Sequence, residues 1–369
     1  MKILLNSRVD LFTKPGGDTA QILKTAEYLK KAGVAVDISI KLKENLNDYN
    51  LVQIFNITRP HEAYLQYLNA KKQKKPVIIT PLYQNFDEWD KLGRYGWQNT
   101  FMKIIPDKNT KELTKTFLRA LININLYHPF MIQFIKGFIK QQKEILSKVD
   151  LVLPNSEMEM RKIEKDLGIK NNYVVVPNGV ELSFADTKPD TFRDKFGFND
   201  FILCVANFSS IKNQLNFIKA LKDTDLTLVL IGKSQRAHRK YFDLIQKSIE
   251  KNENFILLTD IAQEELKSAY AAAKVHVLPS WFETCGLVNL EAGLAGCNIV
   301  STDRGYTKEY LHNFAWYCNP ADQNSIRESV IKAYKAPKSN QLKKYILENF
   351  SWEKTVQKTL EAYRKVLNK

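Results

Sequence analysis

The sequence predicts an α/β protein of two doubly wound domains, each a parallel sheet with helices on both faces. Three observations carry that expectation. Short β-rich apolar runs alternate with helix-spaced segments through both halves of the chain, the pattern of successive βα units. The alternation is punctuated near the middle by the turn-forming Pro177-Asn178-Gly179. The length of 369 residues is about that of two ordinary domains.

Taken in order, Lys2–Asn6 reads as a first strand followed by the Pro15-Gly16-Gly17 turn. Residues 19–32 place Ala20, Leu23, Ala26, Tyr28 and Leu29 at helical spacing. Strands are expected at 34–40, 51–55, 76–80, 149–154 and 173–177, with helices at 61–72 and at 156–167, the latter capped by Ser156. The second half repeats the scheme. Strands are expected at 201–205, 226–231, 255–258, 275–279 and 299–302, with helices at 214–221, 263–273 and 287–294. Ligands in such folds sit at the carboxyl ends of the strands, and the crevice between the two domains is the natural site.

Residues 101–148 interrupt the alternation. The stretch is basic and aromatic, with Phe101, Phe117, Tyr127, Phe130, Phe134 and Phe138 among Lys103, Lys108, Lys111, Lys115, Arg119, Lys136, Lys140 and Lys143. It reads as two or three helices inserted into the first domain. Within it, 130–145 sets Phe134, Phe138 and Ile145 near one face and lysines on another. That pattern suits either an amphipathic helix on an anionic bilayer or a core-facing helix with a solvated lysine face.

Composition narrows the class. Hydrophobic residues are 44%, and no stretch approaches the roughly 20 apolar residues of a spanning helix. The first residues read as a strand, not a signal peptide. Cys204, Cys285, Cys297 and Cys318 show neither paired spacing nor neighbouring histidines, so no metal site is expected and a cytoplasmic location fits. The net charge is +15. Residues 1–178 carry 28 basic and 18 acidic residues, a balance of +10, and the remainder carries 27 and 22, a balance of +5. Nucleic acid, an anionic membrane, phosphorylated small molecules and a generic lysine-rich surface all fit that excess. No nucleic-acid motif accompanies it, and nucleic acid is not the expected partner.

The segment Ser280–Gly293, SWFETCGLVNLEAG, is the most informative. It follows the apolar strand VHVLP and places Gly286 between Glu283 and Glu291. A turn at Gly286 before a helix N-terminus presents free backbone N–H groups and the positive end of the helix dipole, which suits a diphosphate. Thr284, Cys285, Gly286 and Leu287 then lie around the phosphates. Glu291, about one turn into the helix, suits ribose hydroxyls, and Glu283 on the loop suits the sugar.

Here the sequence resembles the family 4 retaining glycosyltransferases, whose signature is a Glu, seven residues and a second Glu after a strand ending near Pro279. Further segments match in order: Pro154-Asn155-Ser156, Pro177-Asn178-Gly179-Val180, Leu228–Gly232, Tyr270–Pro279 and Phe350-Ser351-Trp352. The resemblance implies the GT-B architecture of two Rossmann-like domains facing a cleft. It implies an acceptor domain at 1–178, a nucleotide-sugar domain at 179–345, and a C-terminal helix at 346–369 packing back on the first domain. It further implies that Lys212 neutralises the donor phosphates, that Gly17 lies beside them, and that Glu283 and Lys212 are catalytic. Gly16, Arg59, His61 and Tyr83 become acceptor-side candidates. The family pattern fails at two places. Asn207 stands where the family has an Arg, and residues 81–85 contain no His.

The expectation is a retaining transferase moving a sugar from a UDP- or GDP-linked donor to a hydroxyl of a glycan or lipid-linked acceptor in bacterial surface-polysaccharide synthesis. It would need neither cofactor nor metal, and would work in the cytoplasm or peripherally at the inner face of an anionic membrane. Asn207 and the missing His motivate an alternative, a non-catalytic scaffold subunit of a glycosyltransferase complex.

Overall fold

The computed structural model describes residues 1–95, 105 and 107–368, which form two compact units. The first comprises Met1–Tyr83, Met102–Gly179 and Trp352–Lys369; the second comprises Gln84–Phe101 and Val180–Ser351.

The first unit holds a parallel sheet of β1 (Lys2–Asn6), β2 (Ala35–Ser39), β3 (Leu51–Phe55), β4 (Val77–Thr80) and β5 (Leu151–Val152) in the order β2-β1-β3-β4-β5. β3 and β4 are buried along their whole length, as expected of parallel strands covered on both faces. Helices α1 (Gly17–Lys31) and α2 (Pro60–Lys72) follow β1 and β3. The segment 173–177, expected as a strand, only runs beside β5. Val174 and Val176 donate to the Val152 and Pro154 carbonyls at 3.0 and 2.9 Å, but Pro154 and Pro177 have no N–H to extend a ladder.

The insertion folds as α3 (Lys108–Ile122), a 3-10 turn at Ile124–Leu126, α4 (Tyr127–Lys136) and α5 (Phe138–Lys148). Phe101 and Lys103 lie outside the described residues. The expected continuous face over 130–145 does not form. Gly137 adopts φ +85°, a left-handed conformation that ends α4 and starts α5. As a result Phe138 and Ile145 are buried while Phe134 is exposed.

Helix α6 (Glu157–Leu167) is capped by Ser156 Oγ, which accepts from the Glu159 N–H at 3.0 Å. The C-terminal helix (Trp352–Leu367) packs on α1 through Trp352 and Tyr28, and its Tyr363 hydroxyl donates to buried Gln53 of β3. That contact gives the one polar side chain inside β3 a partner.

The second unit's sheet comprises β6 (Ile202–Val205), β7 (Leu228–Gly232), β8 (Phe255–Thr259), β9 (Val275–Leu278), β10 (Asn298–Thr302) and β11 (Ala315–Cys318), in the order β11-β10-β9-β6-β7-β8. All pairings are parallel. The alternation over 201–302 predicts the first five of these strands; β11 lies beyond the runs it covers.

Each sheet reverses its strand order once, between β1 and β3 in the first and between β6 and β9 in the second. At such a switch point the loops leaving neighbouring strands diverge to opposite faces and open a crevice for ligands. Among the described residues no helix is long and apolar enough to cross a membrane, and all four cysteines are free and buried.

Candidate functional site

The second unit's switch point joins the two most informative sequence segments. The loop after β6 runs through Asn207 to a 3-10 turn at Ser210–Lys212, then to α8 (Gln214–Leu221). The loop after β9 runs from Pro279 to Gly286 and then into α11 (Leu287–Leu294). Three contacts tie the loops together. The Trp281 N–H donates to the Ile211 carbonyl at 2.8 Å. Asn213 adopts φ +63° and its amide donates to the Pro279 and Pro320 carbonyls at 3.0 and 2.8 Å. Lys212 Nζ forms an ion pair with Glu283 Oε1.

Glu283 is largely buried. Its backbone is fixed by Gly305, where φ is +92° and a Cβ would fall 1.9 Å from the Glu283 carbonyl oxygen. The Tyr306 N–H donates to that same carbonyl at 2.9 Å. The loop therefore cannot drift without displacing the chain that follows β10.

Gly286 caps α11 at φ +66°, and of the first-turn N–H groups that of Asn289 returns to the Gly286 carbonyl at 2.8 Å. Below it, buried His276 accepts from the Val205 N–H at 3.3 Å and meets Asn289 Oδ1 at 3.0 Å, and Asn289 donates to Ser301 Oγ at 3.1 Å. Burial holds the His276 pKa down at about 3, so the ring is neutral and acts as a brace between β6, β9 and α11. Thr284 and Leu287 are partly exposed beside Gly286, and Cys285 is buried in the core.

Glu291 accepts from the Tyr270 hydroxyl at 2.9 Å. Burial, with the nearby charge of Glu181, pushes its pKa up to about 7 despite that bond. Asn207 is half-buried; its carbonyl accepts from the Gln214 amide at 3.0 Å.

Residues 84–95 are the part of this site that sequence reasoning missed. They were expected in the first domain, but they group with the second unit because their side chains cover its switch-point loops. Phe86 meets Phe282 edge-on with ring centroids 6.3 Å apart. Trp89 donates from Nε1 to Ser210 Oγ at 3.2 Å, and the Arg94 guanidinium stacks 4.1 Å from the Trp89 ring. Arg304, beside Gly305, grips Glu88 with two bonds of 2.7 and 3.0 Å. The available signal was the density of aromatic and charged residues in a loop directly after a strand.

The remaining candidates lie in the first unit. A Cβ on Gly17 would meet nothing within 4 Å, so open space adjoins the start of α1. Gly16 is extended, and its N–H donates to Thr19 Oγ1 at 3.0 Å. Arg59 and His61 stand at the start of α2. Tyr83 is buried in the first unit's core: Leu82 before it adopts φ +49°, and the Tyr83 hydroxyl donates to Asp166 at 3.0 Å.

The model of the family described as glycosyl transferases group 1 matches residues 190–349. An uncharacterized glycosyltransferase of Methanocaldococcus jannaschii is 21% identical over 95% of this chain and 94% of its own length. Among solved structures, sucrose-phosphate synthase from Thermosynechococcus elongatus superposes with a TM-score of 0.74 at 15% identity, covering 100% of both chains. The Anabaena protein HepE in complex with UDP-glucose gives 0.73 at 14% identity, over 99% of this chain and 100% of the other. The chain has the GT-B fold and resembles glycosyltransferases along nearly its whole length. The group 1 match spans both Lys212 and the Glu283–Glu291 segment.

Proposed function

We propose that this glycosyltransferase takes a sugar from a nucleoside-diphosphate donor and passes it, with retention of anomeric configuration, to a hydroxyl of a glycan or lipid-linked acceptor. The observation that carries the reading is the Lys212–Glu283 pair at the second switch point, next to a helix opened by left-handed Gly286. The UDP-glucose bound to HepE supports a nucleotide-sugar donor of the same kind.

In this reading the diphosphate lies against the first-turn N–H groups of α11 and the Lys212 ammonium, which together offset the charge that develops as the bond from sugar to phosphate breaks. The protein's own donors supply that positive charge, so no metal is invoked. Glu283 is released from Lys212 and accepts hydroxyls of the transferred sugar. The acceptor oxygen forms its bond to the anomeric carbon on the face the phosphate leaves, and its proton passes to the departing phosphate oxygen. Glu291 takes the ribose hydroxyls.

A peripheral contact with an anionic membrane is part of the proposal. Leu121, Ile122, Ile124, Phe134 and Ile135 are exposed on the inserted helices, Ile122 by 90%. Residues 113–143 carry Lys115, Arg119, Lys136, Lys140 and Lys143 and no carboxylate. Lys115 and Lys136 are paired with Glu112 and Glu144 at the borders of this stretch, and apolar side chains beside the remaining cations suit an anionic bilayer surface. Such a contact would place a lipid-linked intermediate of surface-polysaccharide synthesis within reach.

Calorimetry with UDP, GDP and ADP, followed by transfer from the matching nucleotide-sugars, tests the reading. Binding of one nucleotide, lost in Lys212→Met, is the expected result. Absence of binding to all three overturns it in favour of a non-catalytic scaffold, the alternative that Asn207 motivates. Flotation with phosphatidylglycerol vesicles, but not with phosphatidylcholine alone, is the expected membrane result; equal recovery in both overturns that part.

A further inference from the structure

Tyr270 stands near the end of the helix Gln263–Ala272, and its side chain is fully buried in the second unit's core. Two rings meet it edge-on, Phe184 at 5.8 Å and His276 at 5.6 Å between centroids. His276 is itself fixed to β6 and α11 through the Val205 N–H and Asn289. The Tyr270 carbonyl accepts from Cys297 Sγ at 2.9 Å, which ties this helix to the residue before β10. A tyrosine has two side-chain torsions, and close packing on its ring leaves the hydroxyl at one fixed point.

That point faces Glu291. The hydroxyl donates to Glu291 Oε2 at 2.9 Å and has no other partner among the described residues. Burial, and then the Glu291 charge, raise the Tyr270 pKa well above its ordinary value, so the hydroxyl remains a donor around neutrality. The second carboxylate oxygen, Oε1, takes no hydrogen bond among the described residues, and Glu291 is partly exposed. The carboxylate is thus anchored from the core by one oxygen, with the other available to a ligand.

The core has little use for this pair. A phenylalanine would fill the same space, and the bond from Tyr270 does not offset the desolvation of Glu291, whose pKa stays raised. An anchored carboxylate at the start of a crevice helix suits a ligand with hydroxyl groups better than it suits the fold.

We propose that Tyr270 is a positioning residue for nucleotide recognition: it sets Glu291 in the orientation that accepts ribose hydroxyls, and so gives the site a preference for ribonucleotides over deoxyribonucleotides. The inference rests on Glu291 being the group that meets the ribose. A glutamate has three side-chain torsions and loses rotamer freedom when a ligand engages it. Tyr270 removes that freedom beforehand, so the ribose meets a carboxylate already in place. Tyr270 touches no nucleotide and acts through Glu291.

Calorimetry of the full chain with UDP, GDP and ADP, each beside its 2′-deoxy and 3′-deoxy analogues, tests the proposal in wild type, Tyr270→Phe, Glu291→Ala and the double variant. Wild type is expected to prefer the ribonucleotide over at least one deoxy analogue by about 10- to 100-fold, the value of a hydrogen bond to a charged group. Tyr270→Phe keeps the ring and is expected to reduce that preference about 5-fold. The reduction comes from weaker binding of the ribonucleotide, with binding of the deoxy analogue unchanged. In Glu291→Ala the preference is lost, and adding Tyr270→Phe changes it no further, because the group it positions is gone.

Equal weakening of the ribonucleotide and its deoxy analogue in Tyr270→Phe is a packing effect and overturns the proposal, as does an unchanged preference. Failure of Tyr270→Phe to fold, followed by urea unfolding, assigns the hydroxyl to the core and overturns it likewise. A wild type that binds a ribonucleotide and both deoxy analogues equally removes Glu291 from the ribose; the proposal then falls while the nucleotide-donor reading stands. A wild type that binds none of the three nucleotides refutes the donor reading itself, and the proposal with it.

Discussion

Glu283→Gln separates donor binding from transfer, because the Lys212–Glu283 pair makes competing demands on the same lysine. Lys212 is held by Glu283, and a diphosphate has to draw it away. Two unit charges about 4 Å apart attract by roughly 4 kcal/mol at an effective dielectric of about 20. Lys212 keeps 27% of its side-chain exposure, and screening of that kind brings the net value of a pair nearer to about 1 kcal/mol. Glutamine removes that competitor, so UDP should bind about 5-fold more tightly to the variant. Transfer should move the other way. A carboxylate that serves the charge developing on the sugar is worth roughly 100- to 1000-fold in rate by analogy with single donors of an oxyanion hole.

The assay pairs a calorimetric Kd for UDP with single-turnover transfer from the donor that the nucleotide panel identifies. Lys212→Met supplies the opposing control, with UDP weakened about 10- to 100-fold through loss of a charge-assisted contact. Weaker UDP binding in Glu283→Gln together with an unchanged transfer rate would refute the competition argument and Glu283's place at the sugar.

Three further outcomes follow from the same contacts. The Glu291 carboxyl has its pKa raised from 4.5 to about 7, so the folded state binds more protons than the unfolded state between those values. Stability from this group is fully present below about pH 4.5 and is lost as pH rises through 7, by about 3 kcal/mol at most. Glu291→Gln should flatten that part of the urea-unfolding profile; an unchanged slope would show that the carboxyl is not the group responsible. Gly305→Ala places a Cβ on the Glu283 carbonyl at a positive φ and should cost about 2–4 kcal/mol in chemical unfolding while lowering transfer, and a neutral result would mean that the loop after β10 can yield. Trp89→Ala removes the Ser210 bond and the Arg94 stacking partner and should cost about 2 kcal/mol, with weaker UDP binding because the loop preceding Lys212 loses its cover. Unaltered UDP affinity would leave Trp89 a packing residue only.

The two halves of the proposed donor site were legible as candidates because each follows a strand as a local pattern, an apolar run and then a glycine, lysine or glutamate at a turn. Their meeting was not legible from the residues alone. Lys212 and Glu283 are 71 positions apart, and only the order that sets β6 next to β9 brings them together. The same limit explains Tyr83 and residues 84–95. Both follow β4, where a functional loop is expected, yet one backbone turn at Leu82 sends Tyr83 into the first core while the following residues cross to partners about 200 positions later, at Phe282 and Arg304.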